Sequence, residues 1–89
     1  CFARQATDRN RQLLERSPEV RLVFDRERRD RYGRLLAYVF SGPTLLQAEL
    51  LEGGYARTIE VPPNTSRADH FASLEEQARQ AGRGLWSEC

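Results

Sequence analysis

Arg26, Arg28, Arg29, Arg31 and Arg34 fall within nine residues, interleaved with Asp25, Glu27 and Asp30. A guanidinium is a planar fork of donors that matches two phosphate oxygens, which an ammonium group does not. The run could therefore hold a phosphoester or neutralise charge developing on one. All 14 basic residues of the chain are arginine and none is lysine. Two plainer readings stand beside this one. Arginine in place of lysine can be codon bias, and a mixed-sign run is what a solvated turn usually looks like. With 13 acidic residues and a net charge of +1, the field of the whole molecule selects no partner.

The other candidate groups carry less. His70 has no Cys or His at ligand spacing and reads as a surface or structural histidine. Glu75 and Glu76 read as the solvated face of a helix. Trp86 reads as core, since one Trp without basic and aromatic neighbours makes no stacking platform. Arg34 could simply pair with Asp25 or Asp30, and Tyr32 could cap a hairpin with its ring. The two cysteines, Cys1 and Cys89, match no zinc or redox spacing. They are either two free thiols or one disulfide, and the proximity of chain ends in small domains favours the disulfide. Such a bridge predicts an oxidising setting, secreted or periplasmic.

The chain that must position these groups has 89 residues, 39% hydrophobic and 30% charged. That is globular composition for one small domain with a modest core. Its longest apolar stretches are a handful of residues, far too short to cross a membrane. Phe2, Ala6, Leu13 and Leu14 approximate a stripe on a first helix, Ala3 to Arg16, stopped by Ser17-Pro18. Val20 to Phe24 and Leu35 to Phe40 read as two strands of a hairpin, with the arginine-rich loop as its connection. Thr44 can cap a short helix over Leu45 to Glu52, which Gly53-Gly54 ends. Tyr55 to Val61 alternates weakly and could add a third short strand. Thr65 or Ser66 caps a last helix reaching Ala81, with Phe71, Leu74, Ala78 and Ala81 as its buried stripe. Gly82 and Gly84 end it, and Leu85-Trp86 folds back onto the core. Two strands and a fragment are few for three helices to cover, because an isolated hairpin is marginal in water.

Several of these segments together carry a family resemblance. Phe24-Asp25, then Asp30-Arg31-Tyr32-Gly33-Arg34 and Ala37-Tyr38, are followed by Gly54-Tyr55-Ala56-Arg57, Pro63-Asn64-Thr65 and Leu85-Trp86-Ser87-Glu88. In this order and spacing the chain resembles the staphylococcal nuclease (thermonuclease) family over nearly its whole length.

The resemblance implies an α+β fold: an oligonucleotide-binding barrel of five strands with three helices. It places residues 1–89 in the C-terminal part of that single domain, as the last two barrel strands plus three helices, with the first three strands missing. It implies a nuclease, a hydrolase of DNA or RNA phosphodiester bonds assisted by Ca²⁺. In the family a glutamate activates water, two arginines neutralise the transition state and two aspartates hold the cation. Arg34 matches the second arginine, which contacts the scissile phosphate and its leaving oxygen. Tyr32 matches a tyrosine that hydrogen-bonds the terminal phosphate of a bound nucleotide. The first arginine, the glutamate and the metal aspartates have no counterpart here, so no metal ligand is assigned in this chain and the isolated chain is expected to be inactive. Two family tyrosines that pack on the nucleotide fall at Glu60 and Pro62, which removes stacking surface. The missing half, or a second copy in a homodimer, is the expected partner that completes the barrel. The alternative is a non-catalytic nucleic-acid-binding or protein-interaction domain of the same fold.

Overall fold

The computed structural model describes residues 1–59 and 62–89. Its elements run α1 (Ala3–Glu15), β1 (Val20–Val23), β2 (Tyr38–Ser41), β3 (Thr44–Leu45), α2 (Leu46–Glu52), α3 (Ala68–Ala81) and α4 (Leu85–Glu88). The strands form one antiparallel sheet in the order β1-β2-β3. Leu13, Leu46, Leu51, Ala78 and Leu85 are buried, so the core lies where α1, α2 and α3 meet and α4 closes over them. Burying a leucine side chain is worth roughly 1.5–3 kcal/mol, and four of these five are leucines. Cys1 and Cys89 are joined by a disulfide, with Cα atoms 6.2 Å apart.

The hairpin is shorter than its apolar pattern predicts. Val20 pairs with Ser41 and Val23 with Tyr38, so Phe24 and the segment from Leu35 to Ala37 lie outside the strands. Leu35 keeps only an isolated bridge to Arg29. On the opposite edge of β2, past the end of β3, α2 stands in for a strand. The Gln47 amide donates to the Ala37 carbonyl at 2.8 Å and accepts from the Val39 N–H at 3.0 Å. A side chain thus takes the hydrogen bonds a neighbouring strand would have made.

Thr44 does not cap a helix; it pairs with Ser41 across the Gly42-Pro43 turn, and α2 starts from Leu45 without a side-chain cap. Ser66 is likewise not the cap of α3, which begins after Arg67; its hydroxyl is committed to Asp25. Tyr55 to Ile59 carries no strand, and Glu60 and Val61, the end of that expected third strand, lie outside the described residues. Glycine ends the last long helix as expected, with Gly82 left-handed at φ 64°. Glu75 is not merely solvated, because its carboxylate accepts from the Thr58 N–H at 2.6 Å. Trp86 is half-buried and has basic neighbours after all, with the guanidiniums of Arg57 and Arg79 at 5.1 and 5.3 Å from its ring.

Candidate active site

The arginine-rich loop is a built turn. The Asp30 carbonyl accepts from the Gly33 N–H and its N–H donates to the Arg34 carbonyl, both at 3.0 Å. Its carboxylate then closes the turn from inside. Oδ1 accepts from the backbone N–H groups of Tyr32 and Arg34, each at 2.9 Å. Gly33, at φ 80°, supplies the left-handed residue that such a tight return requires.

The same carboxylate aims Arg34. Oδ2 accepts from Arg34 Nε at 2.6 Å, so the stem side of the guanidinium is tethered. The pair is unequal in exposure: the Arg34 side chain is 74% accessible and that of Asp30 11%. Partial burial pushes the Asp30 carboxyl up. The hydrogen bonds from the Arg34 backbone, the Arg34 guanidinium and the Tyr32 backbone outweigh it, and the carboxyl sits below its ordinary value. An anion here is therefore favoured, and it fixes a cation that faces solvent. Asp30 was the signal open to sequence reading, since an Asp opening a turn ahead of Tyr-Gly marks a side-chain-closed turn.

Tyr32 stands beside Arg34, 68% exposed. Its ring lies between two guanidiniums, Arg31 at 4.8 Å and Arg34 at 5.3 Å. Its hydroxyl accepts from Arg31 Nη2 at 2.7 Å, which leaves the hydroxyl proton free to donate outward. Tyr32 and Arg34 thus line an open groove together with Glu27, Leu36, Ile59 and Pro62. Glu60, read as one of the two nucleotide-packing positions, lies outside the described residues.

Two latches hold the loop over the sheet, neither of them read from sequence. Asp25 Oδ2 accepts from Ser66 Oγ at 2.7 Å, Tyr38 Oη at 2.8 Å and Ser66 N–H at 3.0 Å. The Ser66 hydroxyl is the largest cause, followed by the Tyr38 hydroxyl, of an Asp25 pKa lowered to about 2. Burial raises the Tyr38 pKa, and the neighbouring Asp25 anion raises it further. The second latch joins Asn64 to Glu27 through a reciprocal pair of hydrogen bonds. Beneath the latches lies an apolar cleft of about 210 Å³ lined by Leu36, Ala37, Tyr38, Ile59 and Phe71.

The family model for staphylococcal nuclease homologues matches residues 1–88. The chain belongs to the staphylococcal nuclease family. It is 39% identical over 89 residues to the SPbeta prophage-derived endonuclease YokF of Bacillus subtilis, covering 98% of this chain and 30% of that protein. It is equally similar, at 39% over 89 residues, to endonuclease YncB of the same organism, 42% of which is covered. The thermonuclease of Staphylococcus hyicus is 31% identical over 86 residues, 97% of this chain and 50% of that one. The chain thus spans a half or less of the length of these relatives. Nucleic-acid hydrolysis is the activity this family's names carry, and Arg34 and Tyr32 sit within the matched region.

The residues present do not fit a calcium site. Ca²⁺ takes six to eight oxygen ligands, with carboxylates foremost. Among the described residues no three His, Cys, Asp or Glu side chains converge. Of the three carboxylates of the loop, Asp25 already accepts three hydrogen bonds at Oδ2 and Asp30 three across both oxygens, which leaves Glu27 alone. Among the described residues no helix is long and apolar enough to cross a membrane.

Proposed function

We propose that this chain supplies the arginine–tyrosine portion of a nuclease site that hydrolyses DNA or RNA phosphodiesters. The observation that carries the reading is Arg34, tethered at Nε by Asp30 while the rest of its guanidinium faces the groove. A fixed positive charge is what an oxyanion-like transition state requires, because no reorganisation is then needed as charge develops. Arg34 is the clamp on the scissile phosphate, and Tyr32 donates its free hydroxyl proton to a neighbouring phosphate oxygen. Leu36, Ile59 and Pro62 offer the adjoining apolar wall to the nucleotide.

Water activation and any Ca²⁺ belong, in this reading, to residues outside the chain, and the 89 residues alone do not cleave. We place the sheet within an oligonucleotide-binding barrel whose other strands come from an N-terminal portion or from a second copy. Val20 and Leu22, 49% and 43% exposed on one face of an open three-stranded sheet, support this. The disulfide supports a secreted or periplasmic setting. A non-catalytic nucleic-acid-binding role has one observation in its favour, the engagement of Asp25 and Asp30 by protein donors.

Binding of a fluorescent single-stranded oligonucleotide, measured by anisotropy with the chain and with Arg34→Gln, tests the site. Arg34→Gln is expected to weaken binding by about tenfold, the range of a lost charge-assisted hydrogen bond. Equal affinity in the two proteins would overturn the assignment of Arg34. Calcium-stimulated, chelator-sensitive cleavage by the 89 residues would overturn the assignment of the acids to residues outside the chain.

A further inference from the structure

The face of the sheet opposite Val20 and Leu22 carries Arg21, Val23, Tyr38 and Phe40, because Arg21 pairs with Phe40 and Val23 with Tyr38. On this face the Arg21 guanidinium lies 4.7 Å from the Phe40 ring centre, and that of Arg67 lies 5.6 Å from the same ring. Arg67 also stacks on Tyr38 at 5.0 Å. Two cations therefore converge on one aromatic ring. Among the described residues neither has a carboxylate within ion-pairing distance, and neither side chain donates a hydrogen bond to protein. Asp25, four residues after Arg21, is held by Ser66 and Tyr38.

Stacking of this kind satisfies the flat face of a guanidinium and leaves its in-plane N–H donors unused. Two such cations near one ring repel each other, and an anion bridging their free edges relieves that repulsion. We propose that Arg21 and Arg67, gathered on Phe40, form a second phosphate-binding site that holds a phosphodiester of a single-stranded polynucleotide some nucleotides away from Arg34. The inference rests on the nucleic-acid reading above and extends it to a surface remote from the reacting bond. Phe40 lies six residues beyond Arg34, at most about 22 Å of extended chain. Backbone phosphates spaced by roughly 3.4 Å along a strand axis cover that within a dodecamer. The site's contribution is therefore length-dependent: a trinucleotide at Arg34 does not reach it, and a dodecamer does.

The test measures binding of oligothymidylates of three and twelve nucleotides across a salt series. The proteins are the chain, Arg21→Gln/Arg67→Gln, Arg21→Lys/Arg67→Lys and Arg34→Gln. Each neutralised phosphate of a single strand contributes about 0.7 to the slope of log affinity against log salt. The Gln double variant is expected to flatten the dodecamer slope by about 0.7, the one phosphate the site holds, and to leave the trinucleotide unchanged. The Lys double variant is expected to retain most of the slope. An unchanged dodecamer slope in the Gln variant overturns the second site while Arg34 keeps its role, provided Arg34→Gln weakens both lengths. Equal loss for both lengths also overturns it, since the arginines would then act as general field. Failure of the unmodified chain to bind either length overturns both readings. Where the double variant melts below the assay temperature, Arg21→Gln alone, at an exposed position, is expected to lose half the effect, and no loss overturns the proposal.

Discussion

Asn64 and Glu27, 37 residues apart, grip each other by two backbone-directed hydrogen bonds, Oδ1 accepting from the Glu27 N–H and Nδ2 donating to its carbonyl, both at 2.8 Å. The side chain thereby extends the arginine loop as a strand would, and it anchors that loop to the segment leading into α3. Asn64→Ala is expected to cost about 1–2 kcal/mol, the net worth of two such bonds. For a domain of this size that lowers the melting temperature by roughly 4–15 °C. Oligonucleotide affinity should fall with it, because Arg34 shares the loop. Asn64→Asp keeps the acceptor, loses the donor and adds a charge beside Glu27, so its melting temperature should lie no higher than that of Asn64→Ala plus one recovered bond. Thermal unfolding followed by Trp86 fluorescence reads both.

Acid should loosen the same region. The Asp25 pKa falls from 3.8 to about 2 in the folded chain, chiefly through the Ser66 hydroxyl and then the Tyr38 hydroxyl. A carboxyl depressed by folding contributes stability that is complete above its unfolded value and disappears as pH drops through the folded one. Asp30 is shifted in the same direction and adds to the effect. Denaturant midpoints should therefore be flat near neutral pH and decline from about pH 4 toward pH 2. Asp25→Asn should be less stable at neutral pH, since its amide cannot accept all three donors, and should show a shallower acid decline. An acid limb identical in the two proteins would remove Asp25 from this account.

Much of the fold was legible because its signals are local. The apolar stripe of α3 and the glycine after it placed that helix within two residues at its start and correctly at its end. Leu13 and Leu85 also emerged as core from pattern alone. What escaped depends on side chains reaching across the chain. Nothing in the pattern around Ala37 announces that the side chain of Gln47, ten residues on, will stand in for a strand beside it. Ser66 has the composition of a helix cap, and only Asp25, 41 residues away, diverts it. At the site, Arg34 and Tyr32 could be singled out through the motif they share. The sequence also offers Asp25 or Asp30 as a partner for Arg34, and the structure selects Asp30; that Arg31 stacks on Tyr32 required the turn to be closed in three dimensions.

Two glycines separate backbone freedom from close approach. A Cβ on Gly54 would strike the Arg83 carbonyl, and one on Gly84 the Gly54 carbonyl, where the Leu85 N–H also docks at 2.8 Å. Gly33 is likewise left-handed but has open space around it. Gly33→Ala should cost only the conformational penalty, about 1–2 kcal/mol. Gly54→Ala should cost clearly more, because backbone on both sides must move to admit the methyl group, and cores tolerate such insertion poorly. Urea titration of the two variants measures the difference. Equal losses would mean that the Gly54–Gly84 crossing relaxes freely.

The Cys1–Cys89 bridge closes a loop of nearly the whole chain, with a sequence separation of 88. In the chain-entropy model such a loop contributes on the order of 4–5 kcal/mol by restricting the unfolded state. It ties α1 to α4, away from the arginine loop. Reduction, or Cys1→Ser with Cys89→Ser, should therefore lower the melting temperature while leaving oligonucleotide affinity unchanged below the melt. Affinity that falls in step with reduction at a temperature where the chain is still folded would show that the ends and the loop are coupled.

The sheet should make the isolated chain associate. Val20 and Leu22 occupy one face of β1 and remain 49% and 43% exposed, and Leu35 and Ile59 are exposed as well. Among the described residues β1 has a partner on one side only, so its other edge offers unpaired N–H and C=O groups. Open edges bearing apolar side chains are templates for pairing, and identical chains most often close such contacts by a two-fold axis. At micromolar concentration, light scattering should thus give a mass near twice 10.3 kDa. Leu22→Lys should return it to the monomer, because a lysine on the edge blocks pairing and burial together, and its exposure in the single chain keeps folding intact. Added peptide spanning further strands of the same domain should compete with self-association for the same face. A monodisperse monomer with cooperative melting would mean that the helices suffice to stabilise this sheet, and would remove the main physical support for a barrel completed from outside.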